Sequence, residues 1–427
     1  MASPVSQPST PLTRLPFFYG WVILGVAGAA AFSSGPGQTY AVSVFLDPII
    51  DDFGWSRTLV SGLYSAGSLT AALTMVLIGR MLDRFGARVM LVGLGILFGF
   101  VALSMSQIEH PVHLYVGFAA IRILGQGSLT LVPTTLVAIW FVRRRGRATA
   151  LMSLGMALSQ AAFPLIIHLL ITNVGWRGAW IGLAFIIWGV VVLPSLVLVR
   201  RSPESVGLLP DGDSKPAPMA AAVASTVAQE RAFSLGEAMR TRAFWLLLFA
   251  GAGQSLIGTA LIFHQISLLG SRGLDASVAA SVFAVLAPSS LVGAFTAGFL
   301  ADLFPNRLIL AVCQLLLVLA MVCVFAIAQP WQAFVYGAVL GISGGASLTT
   351  MTVIWANYYG RPHLGSIRGA AQTSMVGFAA LGPLPFGFIF DLTGTYSTAI
   401  LVFLSLPIAC AAAALLAVPP RRAAHQA

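Results

Sequence analysis

The run Ala119-Ala-Ile-Arg122-Ile-Leu-Gly-Gln126-Gly-Ser-Leu-Thr-Leu-Val-Pro133 places one charge, Arg122, deep inside an apolar stretch. A guanidinium at the centre of a membrane helix costs roughly 2.5–3.5 kcal/mol on insertion scales, so it normally faces protein or a wet cavity and marks a candidate site. The run also recurs: Gly125-Gln-Gly-Ser-Leu-Thr130 is echoed by Gly344-Gly-Ala-Ser-Leu-Thr349, displaced by 219 residues. One stretch therefore carries both a candidate site and an internal symmetry.

Outward from it, the chain of 427 residues is 58% hydrophobic and only 8% charged. Soluble domains carry roughly 25% charged residues, so water is not the main solvent here. A membrane crossing needs about 20 apolar residues, and this length accommodates a dozen. The net charge of +10 does not point to nucleic acid, because the bases lie between apolar runs and form no basic face with a known motif. Cys313, Cys323 and Cys410 lie in apolar runs without metal-like spacing and read as small buried hydrophobes. No cofactor is implied. Residues 1–16 read as a tail leading into a retained first helix, since no small-residue cleavage site follows a short apolar region.

The charges punctuate an all-α membrane protein of twelve transmembrane helices in two pseudo-symmetric bundles of six. The predicted spans are 15–46, 58–79, 89–108, 111–142, 148–176, 178–199, 243–271, 276–301, two within 308–360 parted at Gln329-Pro330, 369–390 and 392–420. These are helices 1 to 12. With both termini in the cytoplasm, 19 of the 23 Lys and Arg residues fall on that side, the opposite side holds Arg57, Arg177 and Arg272, and Arg122 is inside. This bias sets the orientation. Residues 1–199 and 243–427 form the two predicted bundles, and 200–242 reads as a flexible cytoplasmic linker with a short amphipathic helix starting at 232–237.

The repeat supports that division. Gly79-Arg-Met-Leu-Asp83-Arg84-Phe-Gly-Ala-Arg88 matches Gly298-Phe-Leu-Ala-Asp302-Leu-Phe-Pro-Asn-Arg307 at the same displacement of 219, as do Gly54 with Gly273 and the N-cap candidates Ser56 and Asp275. After helices 4 and 10 the register slips by two, pairing Arg147 with Arg368 and Pro164 with Pro385. Parallel six-helix repeats with a site between them are a transporter architecture.

At Gly79, Asp83, Arg84, Gly86 and Arg88 the loop between helices 2 and 3 resembles the GxxxDRxGRR-type motif of the major facilitator superfamily, and the run around Arg122 resembles that superfamily's helix-4 motif. Within it, Tyr19-Gly-Trp21, Gly35-Pro-Gly-Gln-Thr-Tyr40-Ala-Val-Ser-Val-Phe45, Phe53-Gly-Trp-Ser-Arg57, Gly175-Trp-Arg177, Ser202-Pro-Glu204 and Gly207-Leu-Leu-Pro-Asp-Gly212 resemble bacterial members of the monocarboxylate transporter and oxalate/formate antiporter group. The resemblance implies a secondary transporter of the inner membrane that moves small carboxylates, with a proton or in exchange. Members of that group usually carry a basic residue within helix 8. Val282 to Gly298 contains none, which leaves Arg122 as the buried counter-charge.

For Arg122 two readings stand: an anchor paired bidentately with a substrate carboxylate, or a structural arginine bonded to helix carbonyls or to Gln38 or Gln126. Gln38 and Tyr40 lie beside Gly35, Pro36 and Gly37, which should kink helix 1 and present polar groups. Tyr64, Gln160, Gln254 and Gln372 are further substrate-binding candidates, with interhelical hydrogen bonding as the plainer alternative. His168 and His264, toward the outer ends of helices 5 and 7, are candidates for proton coupling; an interfacial polar residue is the alternative for each. Gly79, Asp83, Arg84, Arg88, Asp302 and Arg307 form a conformational switch, in which a carboxylate caps helix ends or pairs with arginines in one access state. The expected partners are a small organic anion, protons and membrane lipid, with a monomer as the expected state. A drug or neutral-compound exporter on the same fold is the rival; cationic cargo would want a buried carboxylate, which the spans lack. No nucleophile–base pair or metal-ligand cluster suggests an enzyme.

Overall fold

The glycines and prolines that interrupt the apolar runs decide where helices end. The computed structural model describes residues 17–141, 144–212, 233–360 and 364–420, and within these the chain is helical without a strand. Helix 1 is Gly20–Phe32, a 3-10 turn Gly35–Gly37 and Thr39–Phe53. Helices 2 and 3 lie within Arg57–Met105 and part at Gly86, whose φ of 79° only glycine adopts readily. Helix 4 is Pro111–Ile121, a π turn Arg122–Ser128 and Leu129–Trp140. Helices 5 and 6 lie within Arg145–Ile187 and part at Gly175; helix 6 continues through Trp188–Val192 and Leu193–Leu198. Helix 7 is Arg242–Gly253, a π turn Gln254–Gly258, Thr259–Phe263 and Gln265–Gly270. Helix 8 is Ala276–Leu303, helix 9 Asn306–Cys323, helix 10 Pro330–Tyr359, helix 11 Leu364–Leu381 with Pro383–Thr393, and helix 12 Tyr396–Phe403 with Ser405–Leu416.

Among the described residues nine stretches are long and apolar enough to cross a membrane. One of them, Arg147–Leu198, contains the Gly175 turn and so holds two helices; the broken helix 1 and the Ser- and Thr-rich helix 2 complete the twelve. Outer faces expose Leu73, Phe295, Phe299 and Leu348, a surface suited to hydrocarbon and not to water.

The repeat is visible in the backbone. Gly54 and Gly273 both have positive φ (64° and 80°), as do Gly175 and Gly394 (73° and 70°), and each pair is displaced by 219. The slip of two between Arg147 and Arg368 therefore does not persist to the turn after helices 5 and 11. Ser56 caps helix 2 by accepting from Leu59 N at 3.1 Å. Asp275 does not cap helix 8 with its side chain, which is left exposed. Helix 1 runs on past the predicted end at 46 to Phe53 and so includes Asp47, Asp51 and Asp52.

Contacts divide the chain into two compact units, Met1–Ala41 with Thr70–Met219 and Val42–Leu69 with Ala220–Ala427. The sequence repeat instead divides it at 200–242, so the two descriptions part over residues 42–69. In the first unit helix 1 approaches helix 5 so closely that a Cβ on Gly155 would lie 2.3 Å from the Gly28 carbonyl oxygen. In the second, helices 8 and 10 share a glycine seam: a Cβ on Gly341 would lie 2.4 Å from Leu286 O, and one on Gly345 1.8 Å from Ser290 O. A core of Phe244, Leu247, Trp355, Tyr359, Ile367 and Ala414 closes that unit elsewhere.

The ends of the predicted linker are anchored. Asp211, only 5% exposed, accepts from Arg144 N at 3.0 Å at the start of helix 5, as a carboxylate at a helix N-terminus should. A one-turn helix Leu235–Met239 carries a reciprocal Ser234–Glu237 capping box, and Phe233 N donates to Tyr359 O at 3.0 Å. Residues 213–232, the middle of the linker, lie outside the described residues.

Because the atoms opposing a Cβ on Gly345 are backbone, Gly345→Ala forces helices 8 and 10 apart. The expected cost is about 1–3 kcal/mol, the range for overpacking, read as a lower thermal midpoint in detergent, while Gly369→Ala, where a Cβ meets open space, leaves it unchanged.

Candidate functional site

Arg122 opens the π turn of helix 4, where Gly125 and Gly127 weaken the regular ladder and one extra residue per turn is absorbed. Ser128 Oγ donates to the Ile123 carbonyl oxygen at 2.8 Å and steadies the wide turn. The broken middle of helix 1 lies directly against it: a Cβ on Gly37 would be 2.2 Å from Ile121 O and 2.8 Å from Gly125 Cα. This contact brings the Arg122 side chain, 5% exposed, to the break. Its Nη1 donates to the Gly37 carbonyl oxygen at 3.4 Å and to Thr39 Oγ1 at 3.3 Å. Both acceptors are neutral and both bonds are long for a guanidinium, whose charge-assisted bonds run about 2.7–2.9 Å.

The predicted kink at Gly35–Gly37 is present, and its polar residues are largely engaged within the protein. Gln38 Nε2 donates to Ser34 Oγ at 3.2 Å. Tyr40 donates to Ser159 Oγ at 2.8 Å, and Ser159 in turn donates to Phe32 O at 2.6 Å, which ties helix 1 to helix 5. Gln126 is half-buried in the same π turn as Arg122. Arg122, Gln38, Tyr40 and Gln126 thus gather around one place, in the first unit. Gln160 is half-buried on helix 5.

The other candidates lie elsewhere. Gln254 opens the π turn of helix 7, and its Oε1 accepts from Ser343 Oγ on helix 10 at 3.0 Å. Gly35 is its equivalent at the displacement of 219, so helices 1 and 7 break at matching positions. Tyr64 is fully buried against the Phe263 ring, centroids 4.5 Å apart, and Gln372 is exposed.

His264 is not an interfacial residue. It is fully buried at the break before Gln265–Gly270, with Nε2 2.9 Å from Pro383 O and Nδ1 3.0 Å from the Tyr396 hydroxyl. A carbonyl oxygen can only accept, so Nε2 carries the proton and Nδ1 accepts from Tyr396. His168 is half-buried on helix 5.

Sequence reasoning missed a second polar cluster, in the second unit. Arg57 Nη1 lies 2.6 Å from Asp47 Oδ1 and donates to Ser267 Oγ at 2.8 Å, while Ser267 Oγ donates to Asp47 Oδ1 at 2.6 Å. Asp391 accepts from Thr58 N at 2.7 Å, from Thr58 Oγ1 at 2.5 Å and from Arg57 N at 3.3 Å. The guanidinium stacks over Phe390 at 4.8 Å and Tyr396 at 5.9 Å. Arg57 lies outside the apolar spans; burial works against its charge, but Tyr396, Asp47 and Asp391 outweigh it and raise its pKa above the ordinary value. The signal was available: four acids, Asp47, Asp51, Asp52 and Asp391, and Arg57 crowd the ends of helices 1, 2 and 11, in a chain with few charges.

A profile of the Major Facilitator Superfamily matches residues 26–288 and 243–427. The chain belongs to that superfamily. It is 24% identical over 376 residues to MFS-type transporter 1 of Ophiocordyceps sp. (strain BCC 1869), covering 87% of this chain and 78% of that one. It is 30% identical over 196 residues to human monocarboxylate transporter 7, covering 44% and 37%. Its fold matches that of a bacterial homologue of the human lysosomal transporter Spinster with a TM-score of 0.72, covering 93% of this chain and 97% of that one at 18% identity. The protein is a multi-pass membrane transporter with the major facilitator fold.

The superfamily loop between helices 2 and 3 turns at Gly86 beyond the half-buried Gly79. Arg88 Nη2 donates to Leu196 O at 2.7 Å, a cation on the last turn of helix 6, and Arg84 stacks on its neighbour Phe85 at 5.4 Å. The side chains of Asp83 and Asp302 lie outside the described residues; Arg307 is half-buried at the start of helix 9.

His264→Leu removes the partner of a buried carbonyl and of a buried hydroxyl. The expected loss is about 1–3 kcal/mol per unsatisfied group, read as a lowered thermal midpoint, and Tyr396→Phe, which deletes only one end of the pair, costs less.

Proposed function

We propose that this transporter moves a small organic anion, a monocarboxylate foremost, across the bacterial inner membrane by alternating access, with Arg122 as the anchor for the carboxylate. The observation that carries the proposal is a guanidinium buried at the helix 1 break, where Arg122 Nη1 donates to Gly37 O and Thr39 Oγ1. A carboxylate reaching it would accept short, charge-assisted and bidentate bonds. Low-dielectric walls around a cation focus its field on anions. The likeness to human monocarboxylate transporter 7 over 196 residues supports the same cargo class. Gln126, beside Arg122 in the π turn, and Gln38 and Tyr40 at the break would orient the anion; Tyr64, Gln160, Gln254 and Gln372 are proposed as further contacts.

The charge bias puts both termini in the cytoplasm. The six-helix halves 1–199 and 243–427, joined by 200–242, rock as a monomer, and the loop residues Gly79, Asp83, Arg84 and Arg88, with Asp302 and Arg307, favour one access state. Proton coupling is proposed through His264 or His168.

Uptake of labelled acetate, lactate, pyruvate and oxalate into proteoliposomes, with and without a pH gradient, tests this reading. Wild type accumulates at least one of them, faster with an inward proton gradient. Arg122→Gln lowers that flux at least about tenfold, the factor for a loss of about 1.4 kcal/mol, while the protein stays folded; Arg122→Lys, which keeps the charge without the planar fork, falls between. Flux in Arg122→Gln equal to wild type would remove the anchor.

A further inference from the structure

Within the first unit helices 3 and 6 meet along a seam, and one end of it is basic. Arg88 reaches across from the start of helix 3, where its Nη2 donates to Leu196 O at 2.7 Å. Arg200 Nη1 donates to the next carbonyl, Val197 O, at 2.8 Å and to Val199 O at 3.1 Å. Two guanidiniums are thus held by consecutive carbonyl groups at the end of helix 6, and the exposed Arg201 follows directly in the chain. Among the described residues no carboxylate pairs with Arg88, Arg200 or Arg201. A guanidinium has five N–H donors, and the carbonyls engage one nitrogen of Arg88 and one of Arg200, so most of the donors stay open. Neighbouring cations without a counter-charge raise the local affinity for an anion.

Beyond the arginines the seam is tight at its centre and open on one flank. A Cβ on Gly95 of helix 3 would lie 3.0 Å from Val191 and from Val192 of helix 6. Beside this contact helix 3 exposes Val89, Gly93 and Ile96, and helix 6 exposes Gly189, Leu193 and Leu196. The steps of four and three residues put each set on a single helix face. Phe100, one turn beyond Ile96, and Phe185, one turn before Gly189, both meet the Trp188 ring edge-on, at 5.2 and 5.8 Å, so the two faces border one groove. Trp188 is itself fixed by donating from Nε1 to Ile96 O at 3.1 Å. A Cβ on Gly93 or on Gly189 would meet nothing within 4 Å, so each face is lowest near its middle. From Arg88 to Phe100 the groove runs about 18 Å at the helical rise, close to the depth of one leaflet, half of the roughly 30 Å hydrocarbon core.

We propose that this groove holds one anionic glycerophospholipid. Its phosphate accepts from Arg88, Arg200 and Arg201, and one acyl chain lies over Gly93 and Gly189 and ends against the rings of Phe100, Trp188 and Phe185. Charge complementarity selects the occupant. The positive-inside bias puts the arginines at the cytoplasmic leaflet, and basic pockets between membrane helices on that side suit anionic headgroups. The planar fork of arginine matches a phosphate bidentately, whereas a zwitterionic lipid brings a cation of its own to the cluster. A lipid seated there bridges helices 3 and 6 and binds only where the seam is formed, so it stabilises the folded protein by mass action. The site shares no residue with the carboxylate contacts proposed above and does not rest on the cargo.

Native mass spectrometry of the full-length protein in detergent, titrated with phosphatidylglycerol or with phosphatidylcholine of the same chains, reads the affinity for the first lipid bound. Wild type should prefer phosphatidylglycerol at least about fivefold, and Arg200→Gln with Arg201→Gln should weaken it by about fivefold for each arginine removed, the factor for one basic residue at an anionic surface. Arg240→Gln with Arg242→Gln, an equally exposed basic pair at the start of helix 7, should leave it unchanged. Gly189→Leu adds a side chain where there is open space, so it keeps the fold while filling the groove, and should weaken both lipids; it keeps the test decisive should the arginine variants fail to fold. The thermal midpoint should rise with phosphatidylglycerol and not with inorganic phosphate. Equal affinity for the two lipids, an equal loss in the helix 7 variants, unaltered binding in Gly189→Leu, or a midpoint raised as much by phosphate alone would each overturn the lipid site. Lipid selectivity in a protein without carboxylate flux upholds this site and removes the cargo reading, whereas flux without selectivity removes the lipid site alone.

Discussion

Much of the site depends on one close approach, the backbone of helix 1 at Gly37 against the backbone of helix 4 at Gly125, with no room for a methyl group on either. Two helices can meet that closely only where side chains are absent. The regular ladder of each is interrupted there, by the 3-10 turn Gly35–Gly37 in helix 1 and by the π turn Arg122–Ser128 in helix 4. The interruptions have a chemical consequence. A broken helix exposes carbonyl oxygens that a regular helix would satisfy internally, and the Gly37 carbonyl is one that receives Arg122. The burial of a charge, the irregular backbone and the glycine contact are one feature seen from three sides.

The repeat shows how symmetry of backbone can coexist with asymmetry of chemistry. Helix 7 breaks at Gln254–Gly258 where helix 1 breaks at Gly35–Gly37, and the turns at Gly54 and Gly175 recur at Gly273 and Gly394. The equivalent of Arg122 at the same displacement is Gly341, which lies in the seam between helices 8 and 10 with the Leu286 carbonyl oxygen 2.4 Å from where a Cβ would be. An arginine cannot occupy that seam. One repeat therefore gives up close helix packing at this position and holds a cation; the other keeps the packing and holds none. The pseudo-symmetric frame supplies the irregular helices, and the loss of equivalence makes a site.

Several of the few charged residues have an identifiable task. Arg88 terminates helix 6 by donating to Leu196 O, Asp211 takes the Arg144 amide at the start of helix 5, and Asp391 takes the first amides of helix 2. Each places a charge at a helix end whose dipole favours it. The Arg57 cluster differs in joining the ends of helices 1, 2, 7 and 11 at once, and it lies within the unit that groups residues 42–69 with 220–427.

The amino-acid sequence alone determined the number of passes, their limits to within a turn or so in most cases, the repeat, the kink in helix 1 and the superfamily. Each of these follows from local properties: apolar runs of membrane length, charges that must lie outside them, and glycines and prolines that a helix tolerates poorly. Charge as a marker of loops places the end of helix 1 at 46, whereas the helix runs to Phe53 with Asp47, Asp51 and Asp52 on it, and Asp47 pairs there with Arg57. Only the tertiary structure decided which polar groups meet: that Tyr40 is held by Ser159, that Gln254 is held by Ser343, that His264 lies buried between Pro383 and Tyr396, and that Arg57 finds Asp47 and Ser267. Hydrogen bonds are short-ranged and directional, and partners 89 to 210 positions apart, as all of these except Asp47 and Arg57 are, meet only through the crossing of helices, which no window of sequence contains.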